Sequence, residues 1–224
     1  MKKKIAILGS TGSIGKSLID IIKRDKKSFE ITLLTANKNY KELIKQAKLF
    51  NVKNLIITDN NSFILAKKKF SKKKLNIFND YESFKKIFKS KNDFIMSSIT
   101  GLQGLKPTLN SIKFTKNILI ANKEAIICGW NLIEKEMSKY NTNFIPVDSE
   151  HFSIWSLLKK NEIKKIDKIF ITASGGPFLK LSKNKFSKIS VKSALKHPNW
   201  KMGKKITIDS ATMMNKVFEI IEAK

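Results

Sequence analysis

A glycine-rich turn between a strand and a helix constrains the fold of this chain more than any other feature. Residues 4–15 read KIAILGSTGSIG, in which an apolar run leads into Gly9, Gly12 and Gly15. An amphipathic pattern follows and predicts a helix whose apolar face contains Ile14, Leu18, Ile21 and Ile22. Glycines at this spacing let the backbone approach a pyrophosphate, which the free N–H groups of a helix N-terminus stabilise. The motif therefore predicts a dinucleotide-binding site.

Apolar runs alternate with amphipathic patterns through the first 145 residues. The predicted strands are Lys4–Leu8, Glu30–Thr35, Asn54–Thr58, Asp93–Ser97, Asn117–Ala121 and Asn143–Val147. The predicted helical stretches between them include Tyr40–Phe50, Asn61–Phe70, Tyr81–Phe88 and Leu102–Phe114. This alternation is typical of an α/β fold, a Rossmann-like, doubly wound parallel sheet that binds ligands at the carboxyl ends of its strands.

The pattern changes after residue 147, where turn-rich loops become frequent. Strands are predicted at Asp167–Thr172 and Lys205–Ile208, and a helix from Ser210 to Glu219. We therefore expect two domains, a nucleotide-binding domain over residues 1–147 and an α+β domain over residues 148–224.

Composition limits the class of protein. The chain has no apolar run of the roughly 18 residues that a membrane span needs. It has no recognisable signal peptide, and its single cysteine, Cys128, cannot form an internal disulfide. These features predict a cytoplasmic protein without a membrane partner.

The net charge of +27 raises the alternative of a basic nucleic-acid-binding protein on a nucleotide-fold scaffold. The distribution of charge argues against it, because lysines are spread over nearly every predicted helix and Arg24 is the only arginine. Proteins that recognise nucleic-acid sequence rely on arginine, whose planar guanidinium group forms bidentate hydrogen bonds. We expect no specific nucleic-acid partner.

The end of the second predicted strand bears on the choice of cofactor. NAD-binding sites place a carboxylate there for the adenosine ribose, whereas this strand is followed by Ala36-Asn37-Lys38-Asn39. Lys38 would attract a 2′-phosphate, unless it is one more surface lysine. The sequence favours NADP.

Several polar segments carry possible chemistry. Asp148-Ser149-Glu150-His151 follows a predicted strand, and its two carboxylates suit a hard cation such as Mg²⁺, although a solvated loop or helix cap would have the same pattern. Asn122-Lys123-Glu124 follows another strand, where the lysine suits a phosphate or polarised oxygen, although a capped helix start would have the same pattern. Asn215 and Glu219 are four residues apart and share a helical face.

Taken in order, these motifs resemble the 1-deoxy-D-xylulose-5-phosphate reductoisomerase family. The matching segments are GSTGSIG (9–15), ANKE (121–124), DSEH (148–151), SGGPF (174–178), HPNWKMG (197–203) and IDSATMMNK (208–216) with Glu219. The resemblance runs through the whole chain and covers a little over half of a full-length member, and it implies that the helical C-terminal domain of the family is missing from these 224 residues.

The resemblance implies an enzyme that isomerises 1-deoxy-D-xylulose 5-phosphate and reduces the product with NADPH to 2-C-methyl-D-erythritol 4-phosphate, in isoprenoid biosynthesis. It implies Mg²⁺ or Mn²⁺ held by Asp148, Glu150 and Glu219, with Lys123 and His197 also at the reacting centre, and a homodimer. The implied substrate-binding residues are Lys123, Ser149, Glu150, Ser174, His197, Trp200, Ser210, Asn215, Lys216 and Glu219. The implied NADPH-binding residues are Thr11, Gly12, Ser13, Ile14, Asn37, Lys38, Asn39, Asn122, Glu124 and Gly203. His197–Gly203 is expected to form a mobile lid in which Trp200 covers the substrate.

Some residues depart from the family pattern. Asn37 stands where a small residue is common, Leu179 replaces an arginine, and Val217-Phe218 replaces Gly-Leu.

The spacing of two residues fits another enzyme class. Tyr81 and Lys85 have the catalytic spacing of a short-chain dehydrogenase, but they precede the fourth predicted strand and lie too early in the chain. Another NADP-dependent dehydrogenase is the alternative enzyme.

Overall fold

A seven-stranded parallel sheet organises the first part of the chain. The computed structural model describes residues 1–70, 75–158, 163–199 and 203–224. The strands are β1 (Lys3–Leu8), β2 (Phe29–Ala36), β3 (Asn54–Ile57), β4 (Asn76–Phe78), β5 (Asn92–Ser97), β6 (Thr115–Ile120) and β7 (Asn143–Pro146). Their order is β4-β3-β2-β1-β5-β6-β7, and every pairing is parallel. The predicted α/β class is confirmed.

Helices connect these strands. They are α1 (Ser13–Arg24), α2 (Tyr40–Phe50), α3 (Asn60–Lys69), α4 (Phe84–Ile87), α5 (Leu105–Ile112) and α6 (Lys123–Tyr140). Short 3₁₀ segments at Tyr81–Ser83 and Leu102–Gly104 precede α4 and α5. Because the chain order reverses between β1 and β5, the carboxyl ends of these two strands flank the switch point where such sheets bind ligands.

Both faces of the sheet are buried, as a doubly wound fold requires. Ile5 and Ile7 of β1 pack in one apolar cluster, whereas Ala6 and Leu8 pack in a second. Side chains alternate across a strand, so the two clusters lie on opposite faces of the sheet.

The buried face of α1 differs from the predicted one. Ile19 and Ile22 are buried, with 5% and 0% of their surface exposed, whereas Ile14 and Ile21 are 42% and 60% exposed. The expected face was therefore wrong at Ile14 and Ile21. Gly15 explains the rotation, since the helix lies against the backbone of the glycine-rich turn at that residue.

The chain divides into two compact units, Met1–Val147 and Asp148–Lys224. The second unit contains α7 (Ser149–Leu158), α8 (Val191–Ala194), α9 (Lys204–Ala211) and α10 (Met214–Ala223). Short 3₁₀ segments lie at Ile163–Lys165, Gly176–Phe178 and Lys183–Lys188. No strand occurs in the described residues of this unit.

Three predictions for the second unit are wrong. Lys205–Ile208 lies in α9 and is not a strand, and Asp167–Thr172 has no strand partner. The helix expected from Ser210 to Glu219 is broken, because Met213 has a left-handed backbone (φ 62°) between α9 and α10. No helix in the described parts of the chain has the length and apolar character needed to span a membrane.

Candidate active site

Three carboxylates converge in the second unit. Asp148 immediately precedes α7, Glu150 lies in its first turn, and Glu219 lies on α10. One carboxylate oxygen from each lies within 4.8 Å of the others. Glu219 is almost fully buried, with 1% of its surface exposed. This is an acidic centre built from two segments far apart in sequence.

Lys216 joins the two glutamates. Its Nζ lies 3.2 Å from Oε1 of Glu150 and forms an ion pair with Oε2 of Glu219. The Asn215 side chain donates to Oε1 of Glu219 at 2.5 Å. Asn215 and Lys216 lie four and three positions before Glu219, so both side chains reach the face of α10 that carries Glu219. One turn of α10 therefore supplies an amide, an ammonium and a carboxylate to the centre.

Opposing effects act on the pKa of Glu150. Desolvation, the largest single effect, raises it, but hydrogen bonds from the Ser149 hydroxyl and from Lys216, together with the charge of Lys216, lower it. The net effect holds the pKa below its usual value. Ser149 donates to Oε2 of Glu150 at 2.5 Å, and Lys216 is bound to the other oxygen. Glu150 is thus held as a carboxylate.

The cluster fits a hard divalent cation. Mg²⁺ binds carboxylate oxygens at about 2.1 Å, so two ligands on opposite sides of the ion are about 4.2 Å apart. The 4.8 Å limit on the three oxygens exceeds that separation only slightly. Small side-chain movements would let one ion contact Asp148, Glu150 and Glu219 together.

Ser174 and His197 form a second polar group. The backbone N–H of Asn199 donates to Nδ1 of His197 at 3.2 Å, which places the proton of a neutral ring on Nε2. Nε2 lies 3.1 Å from Oγ of Ser174 and donates to it in that tautomer. The N–H of Gly176 also donates to Oγ, at 3.3 Å. The Ser174 hydroxyl therefore accepts two hydrogen bonds and keeps its own hydrogen for an acceptor such as a phosphate oxygen.

One cavity of about 700 Å³ joins these groups. It is lined by the carboxylate cluster and by polar residues suited to an anion, among them Ser149, Ser174, Asn199, Ser210, Asn215 and Lys216. Gly176, which follows the lining residue Gly175, lies close to α9, since a Cβ atom there would lie 2.6 Å from the Ala211 backbone and φ is +68°. The arrangement can hold a cation and an anionic group side by side.

Ser210 and Gly203 have defined positions on α9. The Ser210 hydroxyl donates to the carbonyl of Ile206 at 2.7 Å, so Ser210 lines the cavity while bonded to its own helix. Gly203 is the N-cap residue of α9 and is exposed. Trp200, expected to cover the substrate, lies outside the described residues, as do Lys201 and Met202 of the expected lid.

The first unit contains the predicted nucleotide-binding residues at the ends of β1 and β2. Thr11, Gly12, Ser13 and Ile14 form the turn into α1, and Gly12 is its N-cap residue. Asn37 and Lys38 are exposed after β2, where Asn37 donates to the Thr58 hydroxyl at 2.9 Å. Asn39 caps α2 by accepting from the N–H of Glu42. The glycine-rich turn thus lies beside the switch point, at the carboxyl end of β1, and Asn37–Asn39 lie at the carboxyl end of the neighbouring strand β2.

Asn122 has a structural role at the start of α6, as the capped-helix alternative predicted. Its side-chain amide donates to the carbonyls of Ile99 and Gly101, both at 2.6 Å, and its oxygen accepts from the N–H of Ala125 at 3.1 Å. The side chain caps α6 and fixes the loop after β5. Lys123 and Glu124 begin α6, and Lys123 is buried.

Sequence reasoning missed Glu222. Its carboxylate is fully buried, and Oε1 lies 3.2 Å from Nδ1 of His151. The pair links α10 to α7, the two helices that hold Glu219 and Glu150. The sequence feature that could have identified Glu222 is its position three residues after Glu219, on the same face of an apolar helix.

Comparisons with known proteins show the family of this chain. The family model described as 1-deoxy-D-xylulose 5-phosphate reductoisomerase matches residues 5–129, and that described as the C-terminal domain of the same enzyme matches residues 144–224. The enzyme of that name from Pelagibacter ubique is 67% identical over 99% of this chain, and that from Thermoanaerobacter sp. is 42% identical over 99%. The chain spans 58% of the length of each.

Solved structures of the same enzyme also match this chain. The reductoisomerase from Zymomonas mobilis in complex with NADPH has a TM-score of 0.85 and 34% identity, covering 100% of this chain and 57% of that one. A DOX-P reductoisomerase in complex with NADPH, fosmidomycin and magnesium has a TM-score of 0.88 and 34% identity, covering 99% and 57%. This chain belongs to the 1-deoxy-D-xylulose 5-phosphate reductoisomerase family.

Proposed function

We propose that this chain forms the cofactor-binding and catalytic part of an enzyme that isomerises 1-deoxy-D-xylulose 5-phosphate and reduces the product with NADPH to 2-C-methyl-D-erythritol 4-phosphate. The carboxylate cluster of Asp148, Glu150 and Glu219 is the observation that carries the proposal, because it shares a cavity with residues suited to phosphate. Relatives with bound NADPH and magnesium support it.

The chain's own residues have separate roles in this proposal. Asp148, Glu150 and Glu219 hold Mg²⁺ or Mn²⁺, which when bound supplies Lewis-acid polarisation of the substrate oxygens. Ser174, Ser210, Asn215 and Lys216 bind the phosphate. His197 donates to Ser174 and so orients its hydroxyl.

The remaining assignments follow the family resemblance. The turn at Thr11–Ile14 and the segment Asn37–Asn39 bind NADPH, together with Asn122, Glu124 and Gly203. Lys123 lies near the reacting oxygens, Ser149 and Trp200 contact substrate, and the protein acts as a cytoplasmic homodimer. Family membership does not favour the nucleic-acid-binding or short-chain dehydrogenase alternatives.

The test is NADPH oxidation at 340 nm with 1-deoxy-D-xylulose 5-phosphate, with and without Mg²⁺. We expect turnover that requires the metal and falls at least about 100-fold in Glu219→Gln, since even residues outside the ligand set of a metal typically change activity about 10- to 100-fold. Asp167→Asn is the matched control, because its side chain is 91% exposed in the same unit. If the unmodified chain neither binds NADPH nor oxidises it at saturating Mg²⁺, the proposal is contradicted.

A further inference from the structure

Both oxygens of the buried Glu219 carboxylate already have partners. Oε1 accepts from Asn215, and Oε2 forms the ion pair with Lys216. Each carboxylate oxygen can accept more than one bond, but a cation bound among these carboxylates would lie beside the Lys216 ammonium. Lys216 is the group that carries the same sign of charge as the cation, so it is the one that a cation replaces.

The charges of the cluster explain why Lys216 lies there. Three carboxylates within 4.8 Å repel one another, and burial strengthens that repulsion. The Lys216 ammonium contacts two of them, and only 14% of its side chain is exposed. It occupies the position of a counter-ion between Glu150 and Glu219.

A divalent ion changes this balance. It carries twice the charge of an ammonium and attracts all three carboxylates, so a second cation in the same place becomes unfavourable. Lys216 lines the same cavity as Ser174, Ser210 and Asn215, whose hydroxyl and amide groups suit an anion. A phosphate bound among them gives the displaced ammonium a new partner.

We infer that Lys216 is an exchangeable counter-ion, which neutralises the carboxylate cluster until a divalent cation binds and then pairs with the phosphate group. The inference rests on the proposed function and extends it, because it makes metal and phosphate binding cooperative through one side chain. By thermodynamic linkage, each ligand raises the affinity for the other by the same factor.

The experiment measures Mn²⁺ affinity of the full chain from the electron paramagnetic resonance signal of free Mn²⁺, with and without inorganic phosphate. In the unmodified chain we expect phosphate to tighten Mn²⁺ binding about 10-fold, within the usual range of coupling between sites. In Lys216→Gln the effect of phosphate should fall below about twofold. Without phosphate, this variant should bind Mn²⁺ at least as tightly as the unmodified chain, because no ammonium has to be displaced.

Two further variants complete the design. Lys216→Met is a second neutral replacement of similar length, and its circular dichroism spectrum shows whether the unit is folded. Lys205→Gln is the matched control, since the half-exposed Lys205 pairs with Asp209 at 2.6 Å on α9. In this control, phosphate should tighten Mn²⁺ binding as much as it does in the unmodified chain.

The outcomes separate the inference from the proposed function. If the folded Lys216 variants keep the full phosphate effect, or bind Mn²⁺ about 10-fold more weakly than the unmodified chain without phosphate, the inference is wrong and the metal site stands. If the unmodified chain binds no Mn²⁺ with or without phosphate, both the proposed metal site and the inference are overturned.

Discussion

At the scale of single residues, the start of α1 depends on the absence of a side chain at Gly15. A Cβ atom there would lie 2.4 Å from the carbonyl oxygen of Gly9 and 2.6 Å from Cα of Ser10. Both neighbours are backbone atoms, which cannot rotate away. The third glycine of the motif therefore sets the distance between the helix and the turn.

We predict that Gly15→Ala lowers the free energy of unfolding of the first unit by about 1–3 kcal/mol, the range for overpacked sites, and weakens NADPH binding. Chemical denaturation and calorimetric titration measure the two effects. Ser17→Ala is the control, because Ser17 is an exposed residue of the same helix. Equal stabilities of the two variants would contradict the packing argument.

Met213 is strained in the second unit. A left-handed backbone is unfavourable for most residues, by roughly 1–2 kcal/mol, but less so for asparagine. Met213 adopts it at the junction that turns α10 away from α9. No feature of a methionine predicts this, which is why the sequence pattern favoured one continuous helix there.

We predict that Met213→Val destabilises the second unit by about 1–2 kcal/mol, since a β-branched side chain fits this backbone worst. Met213→Asn should be neutral or slightly stabilising. Met213 is 45% exposed, so lost packing contributes little to either change. Thermal unfolding compares the two variants, and a Val variant as stable as the Asn variant would show that the backbone is relaxed in solution.

At the scale of elements, sequence patterns predicted the sheet well because its strands are buried on both faces. Six apolar runs matched β1, β2, β3, β5, β6 and β7 to within two residues at each end. The strand β4 was missed because Asn76–Phe78 is only three residues long at the sheet edge. Periodicity is too weak a signal at that length.

The same reasoning failed in the second unit, where local propensity and tertiary structure disagree. Lys205–Ile208 contains β-branched residues that favour a strand, but Thr207 is buried within α9 and its hydroxyl bonds to the Gly203 carbonyl at 2.9 Å. Propensity is a weak guide where such contacts form. The meeting of Glu219 with Asp148 and Glu150 was expected only from the family resemblance, because no periodicity links residues so far apart.

The loop between β2 and α2 bears on cofactor choice, and we predict that the chain binds NADPH more tightly than NADH. Lys38 is exposed at this loop, and its charge contributes to lowering the pKa of Asp59, after larger effects from hydrogen bonds to Ser62. Lys38→Ala should weaken NADPH binding about 10-fold, the equivalent of one charge-assisted hydrogen bond, and barely change NADH binding.

Calorimetric titration of both cofactors measures this preference. Lys41→Ala is the matched control, because Lys41 is an exposed lysine in the first turn of α2. Equal affinities for NADPH and NADH in the unmodified chain would contradict the assignment of Lys38 to the 2′-phosphate.

At the scale of the whole molecule, the two units differ in how much apolar surface they bury. Both apolar clusters lie in Met1–Val147, and fully buried side chains there include Ile7, Leu34, Ile56 and Ile95. Within the described residues of Asp148–Lys224, no apolar side chain is buried to that degree, and Ile220 and Ile221 of α10 are about half exposed, at 55% and 49%. Buried polar contacts such as His151–Glu222 hold this unit instead.

We therefore predict that the first unit is the more stable, since apolar burial is the dominant stabilising term and local opening is easiest where it is least. Hydrogen exchange of the full chain followed by mass spectrometry tests this, with peptides from β1, α1 and β2 compared with peptides from α9 and α10. The amides of α9 and α10 should exchange through local opening, at least about 10-fold faster than those of β1, a difference in opening free energy of about 1.4 kcal/mol. Equally strong protection of residues 210–219 and of β1 would show that the polar contacts alone stabilise the second unit as well as the apolar clusters stabilise the first.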